Sequence, residues 1–362
     1  MSFVRTILGD VPADGLRCCG AHEHTIIDAP YIAEKHSDFL LDNIDAACMD
    51  LREFRDAGGG WVIDTMPTGA GRCALKLATV SRLSGVHIVC PTGMHLPLYY
   101  PPDHPMLSMH REELADVFLR EIVDAVRDET GPLPYRAGVI KVAGGYEQLT
   151  PHQREAFAAA AETSRRTGCP IITHTEQGTA AEEQVRLLLE GGACPTHVVL
   201  SHTDRRPDIA YHRALLSSGV ILEYDHHFRS RLKDDKCRTA DLIAALAHDF
   251  PNQIVVGMDL ARRSYWHGYG GKPGLVWLLT VLPALLRERG VEDNLIERIL
   301  IHNPRRAFAF AVARRRLPNE TCPSPYFART ICDIPTRACR HLSQARAQTR
   351  WTPARKFLAA FS

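Results

Sequence analysis

Apolar side chains recur along this chain in two alternating periods. Residues 43–57 place Ile44, Ala47, Leu51, Phe54 and Ala57 at spacings of three and four, the stripe of an amphipathic helix, and Gly58, Gly59 and Gly60 stop it. Trp61, Val62, Ile63 and Asp64 then read as a strand. Residues 72–84 have the helical spacing again, and Gly85 precedes the β-branched run Val86–Val89, a further strand. Helix patterns follow over 111–127, 151–165, about 180–190, about 238–249 and from Leu275 onward. Between them lie strand-like runs at 137–143, 170–174, 197–202, 219–224 and 253–259. An opening strand through Leu16, Cys18, Cys19 and Gly20 leads into Ala21-His22-Glu23-His24-Thr25.

The strands are apolar on both faces, so they belong to a parallel sheet covered by helices. Eight strand-then-helix units between residues 16 and 312 predict an α/β chain folded as a closed (β/α)8 TIM barrel. No GxGxxG follows the first strand, which argues against a dinucleotide-binding sheet. The alternation stops near Arg316, so the sequence divides into a barrel over 1–316 and a C-terminal extension over 317–362. The extension carries Cys322, Cys332, Cys339, scattered arginines and prolines without a core-making period until Phe357–Phe361. It reads as a disordered or loosely docked tail, or as an altered reading frame, and its deletion is expected to spare activity.

Composition narrows the class. Forty-three Lys and Arg against 42 Asp and Glu leave a net charge of +1, which recommends neither nucleic acid nor a membrane surface as partner. No apolar run reaches the length of a signal peptide or a membrane helix. Eleven cysteines, an odd number without CxxC pairing, argue against a disulfide framework, and a cytoplasmic protein is expected. Cys90 and Cys169 sit in apolar runs and read as buried thiols. The 18 histidines are the richer clue, since no tag or tract accounts for them.

Side chains two apart on a strand share a face, so His22 and His24 can reach one metal ion together. In barrels of this kind the active site lies at the carboxyl ends of the strands. There the fourth strand carries Lys141, the fifth ends in His174, the sixth in His202 and the eighth in Asp259. One polar residue at a strand end is ordinary, but this set converges on one mouth. A lysine within an apolar strand is costly unless it is neutralised, converted, or able to snorkel to a carboxylate.

These residues resemble the phosphotriesterase branch of the amidohydrolase superfamily from about Arg5 to Phe310. The resemblance rests on His-Glu-His after the first strand, Lys141 in Val-Ile-Lys-Val-Ala and Thr-His-Thr around His174. Ser-His-Thr-Asp around His202, Gly-Met-Asp at Asp259, and Asn303-Pro304 before Arg305, Arg306 and Phe308 complete it. It implies a binuclear metal-dependent hydrolase. His22, His24 and Asp259 would hold the more buried divalent ion and His174 and His202 the more exposed one. Lys141, carbamylated by CO2, would bridge them. Zinc suits the imidazoles, with manganese or cobalt as alternatives. A metal-bridging hydroxide would attack the substrate while Asp259 shuttles a proton to the leaving group. The resemblance also implies a homodimer.

Substrate choice in such a family belongs to the loops. Three of them are basic, with Arg205 and Arg206, then Arg229, Arg231 and Lys233, then Arg262 and Arg263. Guanidinium groups there suit a phosphate or carboxylate, so a small anionic substrate is expected. The long loop from Met94 to His110 adds Tyr99 and Tyr100 as hydrogen-bond donors, unless they pack against its prolines. Because the Val-Arg-Thr-Ile-Leu-Gly-Asp opening resembles that of lactonases, the expected substrate is a sugar lactone, phosphorylated in one version. The alternatives are a phosphotriesterase or another ester or amide hydrolase, and then a metal-binding barrel without catalysis.

Overall fold

The computed structural model describes residues 2–229 and 238–310. Arg231, Lys233 and the predicted extension over 317–362 lie outside the described residues. The chain opens with an antiparallel hairpin of β1 (Phe3–Thr6) and β2 (Gly9–Pro12), then enters β3 (Cys18–Glu23), the first barrel strand. A short helix α1 (Pro30–Ala33) precedes α2 (Ile44–Asp56), whose first turn is capped by Asn43 accepting from the Ala46 amide. Next come β4 (Gly59–Asp64), α3 (Ala74–Ser84), β5 (His87–Val89) and β6 (Pro91–Met94).

Helix α4 (Arg111–Val123) stops four residues before the periodicity does, because Arg127–Asp128 (β7) folds back on Gly131–Pro132 (β8) as a small hairpin. Then β9 (Val139–Gly144), α5 (Pro151–Thr167), β10 (Ile171–Thr175) and α6 (Ala181–Glu190) alternate. They are followed by β11 (Val198–Ser201), α7 (Ile209–Ser217), β12 (Ile221–Tyr224), α8 (Arg238–Leu246) and β13 (Ile254–Val256). The material after Leu275 is not one helix but α9 (Trp277–Thr280), α10 (Leu282–Arg287), α11 (Asp293–Glu297) and, after a π-helical turn at Arg298–His302, α12 (Asn303–Ala307).

The parallel strands form two sheets, β3-β4-β5 and β6-β9-β10-β11-β12-β13. Strands β5 and β6 are halves of one position, broken at Cys90, so the order is that of an eight-strand barrel. Closure is made where the Asp259 amide donates to the His22 carbonyl at 2.9 Å. The pairing of β6 with β9 needs Gly93, whose φ is +119° and where a Cβ would lie 1.8 Å from the Lys141 carbonyl oxygen. The barrel is a TIM barrel, as the alternation predicts.

Period-two alternation sorts the interior. Val139, Ile172, Val199, Ile221 and Val255 form an apolar layer with Trp61 and Ile63, and two residues further along the same strand faces come Lys141, His174, Ser201, Glu223 and Gly257. The polar floor of the mouth thus rests on a dry core. The amino-terminal hairpin, which the sequence pattern did not reveal, packs Val4 into that core beside Ala307, Phe308 and Ala309. Phe3 stacks on Phe310 at 4.9 Å.

Candidate metal centre

The end of β3 brings His22 and His24 to the strand ends, both buried. His24 Nε2 lies 3.0 Å from Asp259 Oδ1 and His22 Nε2 3.8 Å from the same oxygen. These three ligand groups are close enough to share one cation. Two of the residues reach the mouth through left-handed backbone: His202 has φ +61° and Asp259 φ +45°. Each strand has ended just before, and the reversal turns the side chain back over the barrel. The His202 ring lies 4.6 Å from that of His22 and 4.6 Å from that of His174.

Lys141 is 1% exposed. Its Nζ meets His22 Nε2 and the Thr173 carbonyl, both at 3.4 Å, and forms no ion pair with a carboxylate among the described residues. The snorkelling alternative therefore has no structural support. Burial pushes the amine down to about 8, although the carboxylates of Asp259 and Glu223 pull the other way. Burial likewise drives His22 well below the ordinary imidazole range and brings His174 to about 4, so both rings are neutral donors. Asp259 is pushed up by burial but held well below the usual carboxylate range, first of all by Arg229.

The set fits divalent cations on chemical grounds. The Nε2 atoms of His22 and His24 converge on Asp259 Oδ1, the buried amine has no carboxylate counter-ion among the described residues, and imidazole and carboxylate donors of the right kinds gather at one place.

Carboxylates that the strand pattern did not single out surround the centre. Asp64 accepts from the amides of Thr25 and Met66 at 2.8 and 3.1 Å and so fixes the turn after His24. Glu23, between the two histidines, accepts from the Met258 amide at 2.9 Å, which braces the end of β13 against β3. Asp225 sits 2.7 Å from His202 Nδ1 and 2.5 Å from His226 Nδ1. Glu176 sits 3.0 Å from His174 Nε2. The signal available in sequence was their place at or just past strand ends; without a fold, nothing separates them from ordinary loop acids.

The loop residues divide. Arg229 is engaged with Asp259 Oδ2 at 2.6 Å, and Arg205 lies 3.7 Å from Glu176 Oε1. Arg262 lies with its guanidinium 4.9 Å from the Phe39 ring, and the Tyr99 ring packs edge-on to His95 at 4.1 Å. Three expected substrate contacts are committed elsewhere. Arg206 stacks on Tyr211 at 3.8 Å, Arg263 binds Asp42 and the Leu40 carbonyl, and the Tyr100 hydroxyl donates to the Thr68 carbonyl and accepts from the His95 amide. Alternation of side chains along a loop is not regular, so neighbouring residues in these pairs turn different ways.

Comparison with known proteins decides the family. The model of the phosphotriesterase family matches residues 2–308. This chain belongs to the phosphotriesterase family. A phospho-furanose lactonase of Mycoplasmopsis synoviae is 32% identical over 324 residues, which span 85% of this chain and 92% of that relative. A solved lactonase from Listeria monocytogenes superposes with a TM-score of 0.79 at 28% identity, covering 86% of this chain and 100% of the other. An amidohydrolase from Mycoplasma synoviae gives a TM-score of 0.79 at 30% identity, covering 86% of this chain and 93% of the other. The chain is a metal-dependent hydrolase acting on ester bonds. Among the described residues no helix is long and apolar enough to cross a membrane.

Proposed function

We propose that this phosphotriesterase-family member is a lactonase that opens a sugar lactone, with a phosphorylated furanose lactone as the foremost candidate. The observation that carries the reading is the convergence of His22, His24, Lys141, His174, His202 and Asp259 on one barrel mouth, in a chain 32% identical to a phospho-furanose lactonase.

His22, His24 and Asp259 would hold the more buried ion, His174 and His202 the more exposed one, and carbamylated Lys141 would join them, with zinc preferred and manganese or cobalt as alternatives. Ions held there supply Lewis-acid polarisation of the ester carbonyl and lower the pKa of water.

The protein's own groups do the rest. Asp259 Oδ1 takes a proton and returns it to the departing ring oxygen, which leaves as the new hydroxyl of the open hydroxy acid. Arg229 keeps that carboxylate ionised between turnovers. Arg205 and Arg262, with the Tyr99 hydroxyl, line the mouth and bind the anionic end of the substrate away from the scissile bond. His95 beside Tyr99 stays neutral, its pKa driven well down by burial.

A substrate screen tests the reading. Metal-reconstituted enzyme should hydrolyse phosphorylated furanose lactones with a higher kcat/KM than neutral organophosphates. Efficient organophosphate hydrolysis without lactonase activity would make it a phosphotriesterase instead, and metal binding without any turnover would make it a binding protein.

A further inference from the structure

Strand β12 contributes no ligand to the proposed metal centre, yet it carries two of the most deeply buried acids in the protein. Glu223, within the strand, and Asp225, just past its end, are both 0% exposed. Two residues apart, they project from the same face of the strand toward the barrel interior. A buried carboxylate is costly unless something compensates it. Neither oxygen of Glu223 has a well-formed hydrogen bond. What it faces is an imidazole: Oε2 lies 3.4 Å from His22 Nδ1, itself unpartnered. Asp225 Oδ2 makes the parallel approach to His202 Nδ1 at 2.7 Å, likewise without a well-formed hydrogen bond, and lies 3.7 Å from His22 Nδ1.

The opposite edge of the His22 ring looks into the centre, where Nε2 lies 3.4 Å from Lys141 Nζ and 3.8 Å from Asp259 Oδ1. A neutral imidazole has one N–H and one lone pair, and the partner of one nitrogen decides which is which. An acceptor at Nδ1 selects the Nδ1–H tautomer and leaves the Nε2 lone pair for a cation. The neighbouring strand end is shaped to admit this acid. At Gly257 a Cβ would lie 2.8 Å from Glu223 Oε1 and 2.6 Å from the His22 amide nitrogen, so only glycine leaves room for the pair.

We propose that Glu223 is a positioning residue for the metal centre, accepting the Nδ1–H of His22 so that Nε2 faces the ion, while Asp225 does the same for His202. The proposal rests on the metal-centre reading above and assigns to the seventh barrel strand the work of orienting ligands from the first and the sixth. It also accounts for an acid directly above an apolar layer.

Two readouts test it, and neither is turnover. In metal-free wild-type protein, long-range proton–nitrogen NMR of the histidine rings should report His22 as the Nδ1–H tautomer; an Nε2–H tautomer overturns the proposal whatever the protein does with metal. Zinc affinity is then measured by chelator competition on Glu223→Leu and Glu223→Gln. Leucine should weaken the tighter-held ion by about 10–100-fold and release the His22 tautomer. Glutamine, whose amide oxygen still accepts, should remain within about tenfold of wild type, retaining most of what such an outer partner contributes. Should the leucine variant not fold, Glu223→Ala gives the same comparison. Wild-type affinity together with an unchanged tautomer in the leucine variant overturns the proposal. A wild-type protein that binds no divalent ion at all defeats the metal-centre reading, and the tautomer of the metal-free protein still decides the role of Glu223.

Discussion

Arg229 Nη1 lies 2.6 Å from Asp259 Oδ2, while the other oxygen of that carboxylate lies 3.0 Å from His24 Nε2. One buried acid is thus held between an arginine from the loop after β12 and a histidine from the end of β3. The arginine opposes the burial that would otherwise push Asp259 up.

Replacing Arg229 by methionine should therefore raise the Asp259 pKa. The acid limb of kcat/KM should move to higher pH, because Asp259 then becomes ionised only as pH rises further. At neutral pH the loss should stay below the ~100-fold that removing the proton-transfer group itself would cost. A pH–rate profile of the variant checks both; an unmoved acid limb would separate Arg229 from proton transfer.

Lys141 gives a second expectation. With its amine brought down to about 8 by burial, the neutral, nucleophilic form becomes abundant as pH rises through that value. Metal uptake by stripped protein should quicken over that rise when bicarbonate is present and stay slow in CO2-free buffer. Lys141→Met should take up metal poorly under both conditions. Equal uptake with and without bicarbonate would count against a carbamate.

The buried pair of Arg72 and Glu121 concerns stability alone. Two guanidinium nitrogens meet the two carboxylate oxygens at 2.7 and 2.6 Å, and the hydroxyls of Thr68 and Thr92 each donate at 2.6 Å. Burial pushes the Glu121 carboxyl up, but Arg72 and the two threonines bring it below its ordinary value. A depressed folded-state pKa gives stability that is present above the unfolded value, about pH 4, and is lost as pH falls through the folded value. Glu121→Gln should cost about 3–5 kcal/mol near neutrality and lack that acid dependence in urea unfolding curves collected across the range.

Adjacent tyrosines should behave differently. Tyr100→Phe leaves the Thr68 carbonyl and the His95 amide without their shared hydroxyl, at a cost of about 1–3 kcal/mol in stability. Tyr99→Phe should leave stability unchanged and raise KM for the lactone. Melting temperatures and steady-state kinetics on the two variants distinguish the roles; an effect of Tyr100→Phe on KM alone would reverse them.

Much of this architecture was legible in sequence because period-two strands and period-three-and-four helices alternate from residue 16 onward, and because His22, His24, Lys141, His174, His202 and Asp259 each interrupt or end an apolar run. The hairpin of Phe3–Pro12 was not legible: two four-residue strands offer too short a window for a period, and only the barrel base they cover makes them strands. Glu223 was hidden for another reason. It sits inside the run Ile221-Leu222-Glu223-Tyr224, where an acid reads as a strand-end polar group until the fold puts His22, some 200 residues earlier, across from it. Arg206 and Arg263 show the limit for loops, whose side-chain directions follow local turns that composition does not encode.

Titrating metal-stripped protein with a divalent ion while following hydrolysis of a phosphorylated furanose lactone decides whether the barrel mouth is a two-ion lactonase centre. The stripped protein should be inactive, and the rate should saturate at two equivalents of metal per chain. Full activity in the stripped protein, or saturation at a single equivalent, would contradict that assignment.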